Sequence, residues 1–133
     1  MSGGPEPRVG AGDTDFDALM RAHLARVLAE RDAGRRLAGL RELYAEDTTL
    51  FEPGTAVTGR KAISDAINAL LASMPPSFSF TATGPAVGHH GLARLHWRAG
   101  PPGGPAVVTG TDVAGVEGGR IKSLHVFLDP QPA

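Results

Sequence analysis

The chain predicts an α+β fold with its helices gathered on one face of an antiparallel sheet, and three observations predict it. Apolar residues recur at helical spacing from Phe16 to Met74 and alternate from Phe78 onward. Between two of the helical stretches, Thr48-Thr49-Leu50-Phe51-Glu52 alternates like a strand. Residues 107–129 place two runs rich in Val, Ile, Leu and Thr on either side of Glu117-Gly118-Gly119. Paired glycines supply the positive backbone angles of a tight reversal, so this stretch reads as a long β-hairpin. Helices segregated from a strand meander define the class.

The elements follow in order. Residues 1–13, MSGGPEPRVGAGD, lack the apolar centre of a secretory signal and predict a flexible tail, which leaves one domain over 14–130. Thr14 with Asp17 predicts the first helix cap, and Asp13, Asp15 and Asp17 suit the positive end of its dipole. Phe16, Leu19, Met20, His23, Leu24, Val27 and Leu28 form one stripe, with His23 near its centre. Gly34 predicts the stop, and Leu37, Leu40, Leu43 and Tyr44 a second short helix with Tyr44 turned inward. Pro53-Gly54 makes the turn after the early strand and leaves Glu52 at the strand's end. A third helix begins at Thr58-Gly59-Arg60, buries Ile63, Ala66, Ile67, Leu70, Leu71 and Met74, and stops at Pro75-Pro76.

About four strands then follow. Phe78 and Phe80 open one, and Gly88-His89-His90-Gly91 reads as a turn. In LARLHWR, Ala93, Leu95 and Trp97 face one way and Arg94, His96 and Arg98 the other. Residues 100–105 form a Gly/Pro loop into the final hairpin, and Asp129 closes its last strand as an end cap.

Composition removes several function classes. Thirteen Lys and Arg against fourteen Asp and Glu give a net charge of -1, which offers no positive field for nucleic acid or anionic lipid. Cysteine is absent, which excludes thiol catalysis, disulfides and Cys-based metal sites. No apolar run approaches the roughly 18 residues of a membrane span, and a cytoplasmic setting is the default expectation. Adjacent residues of an extended chain point apart, so His89-His90 is not expected to hold a metal.

The chemistry centres on two carboxylates. Asp112 alternates onto one face with Val108, Gly110, Ala114 and Val116, which puts an acid on an apolar wall. Burial disfavours its charged form, and a second carboxyl from Glu52 would push the two proton affinities apart. One could then act as base while the other stays a neutral donor. A placed base contributes about 10²–10⁴ in rate, enough for enolisation, double-bond migration or aldol-type ring closure without a cofactor. His23 and Tyr44 could assist, with Trp97, Leu95, Val126, Leu124, Ile67 and Val108 lining the pocket. The same residues also admit plainer roles: Glu52 as a solvated strand end, Asp112 satisfied by nearby hydroxyls, and His23 and Tyr44 as ordinary core groups. Arg60 and Lys61 read as solvated, while His96, His125, Arg94, Arg98 and Phe127 fall on an outer sheet face that could meet a second subunit.

Two helices, LYAEDTTLFEP, a TGRKAI helix start and a meander ending in GTDV…GGRIKSLHVFLD resemble the nuclear-transport-factor-2-like superfamily, and within it the SnoaL-like branch. The resemblance covers about residues 14 to 129. It implies a cone, a strongly curved sheet wrapped around three N-terminal helices with an apolar pocket open at one end, in a homodimer formed through the sheet. It also implies a hydrophobic small-molecule ligand, with no metal or cofactor. Matched to ketosteroid isomerase, Glu52 falls at the general-base Asp and Asp112 at the protonated Asp that donates to the oxyanion; that neutral acid is a known example from the isomerase itself. Tyr44 matches a second tyrosine of some isomerases. The first-helix tyrosine has His23 or Leu24 nearest and no Tyr, and the third-helix tyrosine is matched by Ile67. The last-strand Asp of the epoxide hydrolases is matched by Val126. The polyketide cyclases share one central carboxylate in an apolar cavity. The resemblance thus implies an isomerase or cyclase, with epoxide-hydrolase or hydratase activity or ligand binding alone as alternatives.

Overall fold

The computed structural model describes residues 14–130, so the tail expected over 1–13 lies outside the described residues. Helix α1 spans Phe16–His23 and continues as a π turn over Leu24–Leu28; α2 spans Ala33–Leu43 and α3 Arg60–Ala72. The strands are β1 Tyr44–Glu52, β2 Thr55–Thr58, β3 Ser79–Ala82, β4 Val87–His89, β5 Leu92–Gly100, β6 Val108–Glu117 and β7 Arg120–Leu128. They form one curved, unclosed sheet in the order β2-β1-β7-β6-β5-β3, with β4 also paired to β5. All pairs are antiparallel except β1 with β7, which run parallel. Register shifts in β1 and at Gly115/Val116 of β6 are bulges, which bend and twist a sheet.

The helices cover the inner face of the sheet. Leu19, Met20, Leu24 and Val27 of the first helix meet Leu40, Ile63, Ile67, Leu95, Ala114, Ile121 and Leu124 in one core. Arg36 is fully buried beneath the helices, where it donates to the Ser64 hydroxyl, the Asn68 side-chain carbonyl and the Glu30 carbonyl. Each of its three nitrogens therefore has an acceptor, on α3 or on the loop before α2, which is what lets a buried guanidinium persist.

Several boundaries differ from expectation, each for a local reason. Asp15, not Thr14, caps α1 by accepting from the Ala18 amide. Gly34 does not stop a helix but sits in the first turn of α2, whose cap is Asp32. The first helix ends instead by widening, with the Ala29 amide bonded back to the Leu24 carbonyl. Tyr44 is extended at φ -114 and ψ 145, so it opens β1 rather than closing α2. Helix and strand abut there without a breaker residue, and the two periodicities overlap. The short strand β2 lies between the turn and the helix start where no element was expected, β4 overlaps the stretch read as a turn, and the meander after α3 has five strands where about four were expected. Both short strands are edge pieces held by neighbours, which three or four residues of pattern cannot signal.

Candidate functional site

Three elements bring a polar chain together on the inner face. His23 is the last residue of α1, immediately before its π turn, a distortion that recurs at functional sites. Tyr44 is held through both sides of its backbone: its amide donates to the Leu40 carbonyl, and its carbonyl accepts from the Arg60 guanidinium at 2.7 Å. Arg60 is thus a part-buried anchor between α3 and β1, a correction to its expected solvated role; Lys61 pairs with Asp65 on the surface. Asp112 sits mid-strand in β6, between Leu95 of β5 and Val126 of β7. Trp97 reaches it from the next row of β5 because its partner there is Gly110, where an added Cβ would lie 2.7 Å from the indole ring. That glycine lets the ring lie across β6.

The geometry sets the direction of the chain. The indole Nε1–H of Trp97, a donor only, gives to Asp112 Oδ1 at 2.9 Å. The other oxygen, Oδ2, lies 2.7 Å from His23 Nε2, and His23 Nδ1 lies 2.7 Å from the Tyr44 hydroxyl. If Tyr44 donates to Nδ1, then Nε2–H donates to Asp112 and every proton has an acceptor. The reverse assignment would leave the phenol proton without one. No buried side-chain polar atom lacks a partner among the described residues. Asp112, Tyr44 and His23 are all buried, at 1% exposure or less. Burial, and then the charge of Asp112, push the Tyr44 phenol well above its ordinary range, so it keeps its proton.

Glu52 stands apart from this chain. On β1 it is one residue beyond Phe51, which pairs with His125, so Glu52 lies beside Val126 and Val126 pairs with Asp112. Two strand spacings, about 10 Å of backbone, therefore separate the carboxylates. The inner face also opens toward this end: along β7 exposure rises from 2% at Leu124 through half-buried Val126 to 50% at Leu128. Along β1 it rises from buried Leu50 to half-buried Glu52. Partial burial, and secondarily the Asp112 charge, raise the Glu52 carboxyl above its ordinary range.

The expected lining residues divide accordingly. Leu95, Leu124, Ile67 and Trp97 belong to the closed core, with Phe80 edge-on to the indole, whereas Val126, beside Glu52, and Val108, at the start of β6, are partly exposed. A hollow of about 450 Å³ lies elsewhere, on β4, β5 and Val113 of β6, and none of these residues lines it. His96, His125, Arg94, Arg98 and Phe127 lie on the outer face, and Asp129 takes bonds from Thr109 and His96. Among the described residues no cluster of three or more His, Asp or Glu could hold a metal, and no helix is long and apolar enough to cross a membrane. The sequence reading missed the Trp97–Asp112 bond; its signal was Gly110, a side-chain-free residue mid-strand opposite the single tryptophan.

A curved sheet folded over three helices, with its polar cluster on the concave side, is the nuclear-transport-factor-2-like α+β fold. The model of the SnoaL-like domain matches residues 20–124, and the chain belongs to that family. Its structure is similar to that of a proposed isomerase of the SnoaL-like family from Agrobacterium tumefaciens, at 30% identity and a TM-score of 0.78 over 86% of this chain and 97% of that one. A proposed polyketide cyclase from Sinorhizobium meliloti shares the fold at 20% identity and a TM-score of 0.63, over 84% and 95% of the two chains. A proposed ketosteroid isomerase from Kribbella flavida does so at 19% and 0.62, over 89% and 83%. No curated protein sequence matches the chain.

Proposed function

We propose that the protein is a cofactor-independent isomerase or cyclase acting on a hydrophobic, carbonyl-bearing small molecule, with Glu52 as its general base. The observation that carries this is the split between the two carboxylates. Asp112 has both oxygens engaged and is buried, whereas Glu52 is half-exposed at the open end of the inner face, where it can touch a substrate. A carboxylate whose proton affinity is raised is a better base toward a carbon acid. Val126 and, further along β7, Leu128 offer it an apolar floor. Asp112, His23 and Tyr44 then act as positioning groups: they keep a negative charge behind Glu52 and hold the floor of the site in one arrangement. A water-activating mechanism with two carboxylates on one water is disfavoured, because Asp112 has no free oxygen face to offer.

Such a base can be tested without the natural substrate. 5-Nitrobenzisoxazole opens when a base removes one carbon-bound proton, and apolar carboxylate sites accelerate it. The wild-type protein should turn it over, and Glu52→Gln should lower the rate by about 10²-fold or more. Equal rates in the two proteins would contradict the assignment. We also propose that two copies pair through the outer face, where Phe51 stacks on His125 and His125 on Phe127. Phe127, 56% exposed, is the residue to change: Phe127→Glu should convert the dimer to a monomer in sedimentation.

A further inference from the structure

The hollow on β4, β5 and β6 is unrelated to the carboxylate cluster and carries its own chemistry. Its volume, about 450 Å³, is that of a small-molecule site. Val87, Leu92 and Val113 make its apolar walls, and Val87 and Leu92 are 49% and 57% exposed. Arg94 stands between two of those walls, since its register partners are Val87 on one side and Val113 on the other. Its guanidinium enters no ion pair among the described residues. His89 and His90 complete the rim with their Nδ1 atoms 2.8 Å apart, and no carboxylate lines the hollow.

One backbone feature marks the rim as more than a chance dip. His90 and Gly91 form the two-residue turn between β4 and β5 with φ 50 and 78, angles that Gly adopts at lower cost than His. A histidine held there at some cost to stability sets its ring against His89, beside Arg94. We propose that this hollow is a binding site for a small apolar molecule bearing one carboxylate, its apolar body on Val87, Leu92 and Val113 and its carboxylate on Arg94 and the imidazole pair. Charge complementarity selects that occupant. A cation would meet Arg94, and a neutral apolar molecule would leave the unpaired Arg94 charge without a counter-charge.

Octanoate and its uncharged analogue 1-octanol, each titrated into ¹⁵N-labelled full-length protein, test the proposal. Octanoate should shift the amides of residues 87–94 and of Val113 saturably, and 1-octanol should bind about tenfold more weakly or worse. Arg94→Gln should weaken octanoate by about tenfold and leave 1-octanol unchanged. His90→Gly should raise the melting temperature, because it removes the positive-φ strain, while weakening octanoate. That pairing separates a ligand role from a structural one. Octanoate binding unaffected by Arg94→Gln, shifts confined to Val126 and Leu128 at the inner opening, or no saturable shift at all would overturn the proposal. Val113 is in register with His125 of the proposed outer-face pairing, so the titrations are repeated on Phe127→Glu; shifts of the same amides with protein concentration in that variant would mean that a second copy fills the hollow and would also overturn the proposal.

Discussion

Two histidine–aspartate pairs lie on opposite faces of one sheet, and they differ in almost everything but chemistry. Inside, His23 and Asp112 are 2.7 Å apart and each 1% exposed, with Tyr44 and Trp97 closing the remaining positions. Outside, His96 and Asp129 are 2.9 Å apart at 39% and 43% exposure, with Thr83 and Thr109 as further partners. The outer pair can lose a partner to water at little cost. The inner pair cannot, because whichever member remains is a buried polar group without a partner. The lesson for function is that the buried pair is fixed machinery, while chemistry on a substrate belongs to the carboxylate that still meets solvent, Glu52.

The sharpest way to break the contrast is to remove one histidine from each pair. His23→Leu should cost about 3–5 kcal/mol of stability, because Asp112 loses its donor in the core; His96→Leu should leave the denaturation midpoint nearly unchanged. Equal midpoints for the two variants would mean that the inner pair is not the anchor described. Next in size is Gly110→Val, whose added carbons would meet the Trp97 ring and the Phe127 carbonyl at 2.7 and 2.8 Å. Overpacking there should cost about 1–3 kcal/mol. Since Trp97 is the single tryptophan, its fluorescence should shift as the indole leaves Asp112. An unaltered emission spectrum would show that the indole never depended on that glycine.

Tyr44→Phe should cost about 1 kcal/mol in chemical denaturation, the value of one buried hydrogen bond, and would sharpen how much the far end of the chain contributes. The smallest effect concerns pH. Glu52 has a raised carboxyl in the folded state, so its ionisation disfavours folding: the penalty is absent below the unfolded value, grows through the window up to the folded one, and is complete above it. Glu52→Gln should therefore melt slightly higher than wild type at neutral pH, by under about 1 kcal/mol after solvent screening, and no higher in acid. Asp129 has the opposite sign. Thr109 and His96 hold its carboxyl below the usual range, so what it contributes is present at neutral pH and lost as pH falls through that lowered value.

The final hairpin and the inward position of Asp112 were readable from alternation and the Gly118-Gly119 break, because a period of two leaves no choice of face once one face is apolar. His23 was readable from its place on a helical stripe. Tyr44 was read as inward but in the wrong element, since nothing in the sequence separates α2 from β1. Glu52 and Asp112 were read as a pair, but their division, one bonded into the core and the other half-exposed, was not readable. It depends on the parallel contact of β1 with β7, a long-range register that sets Val126 between them. Trp97 and Arg60 were misjudged for the same reason: one bonds across β6 and the other reaches back to a carbonyl sixteen residues away.

A paired comparison of Glu52→Gln and Asp112→Asn, each scored for turnover of 5-nitrobenzisoxazole and for melting temperature, tests the division of labour most directly. The expected result is a dissociation: Glu52→Gln loses the reaction and keeps or gains stability, while Asp112→Asn loses stability first. Loss of turnover in a fully stable Asp112→Asn protein, with Glu52→Gln still active, would contradict it.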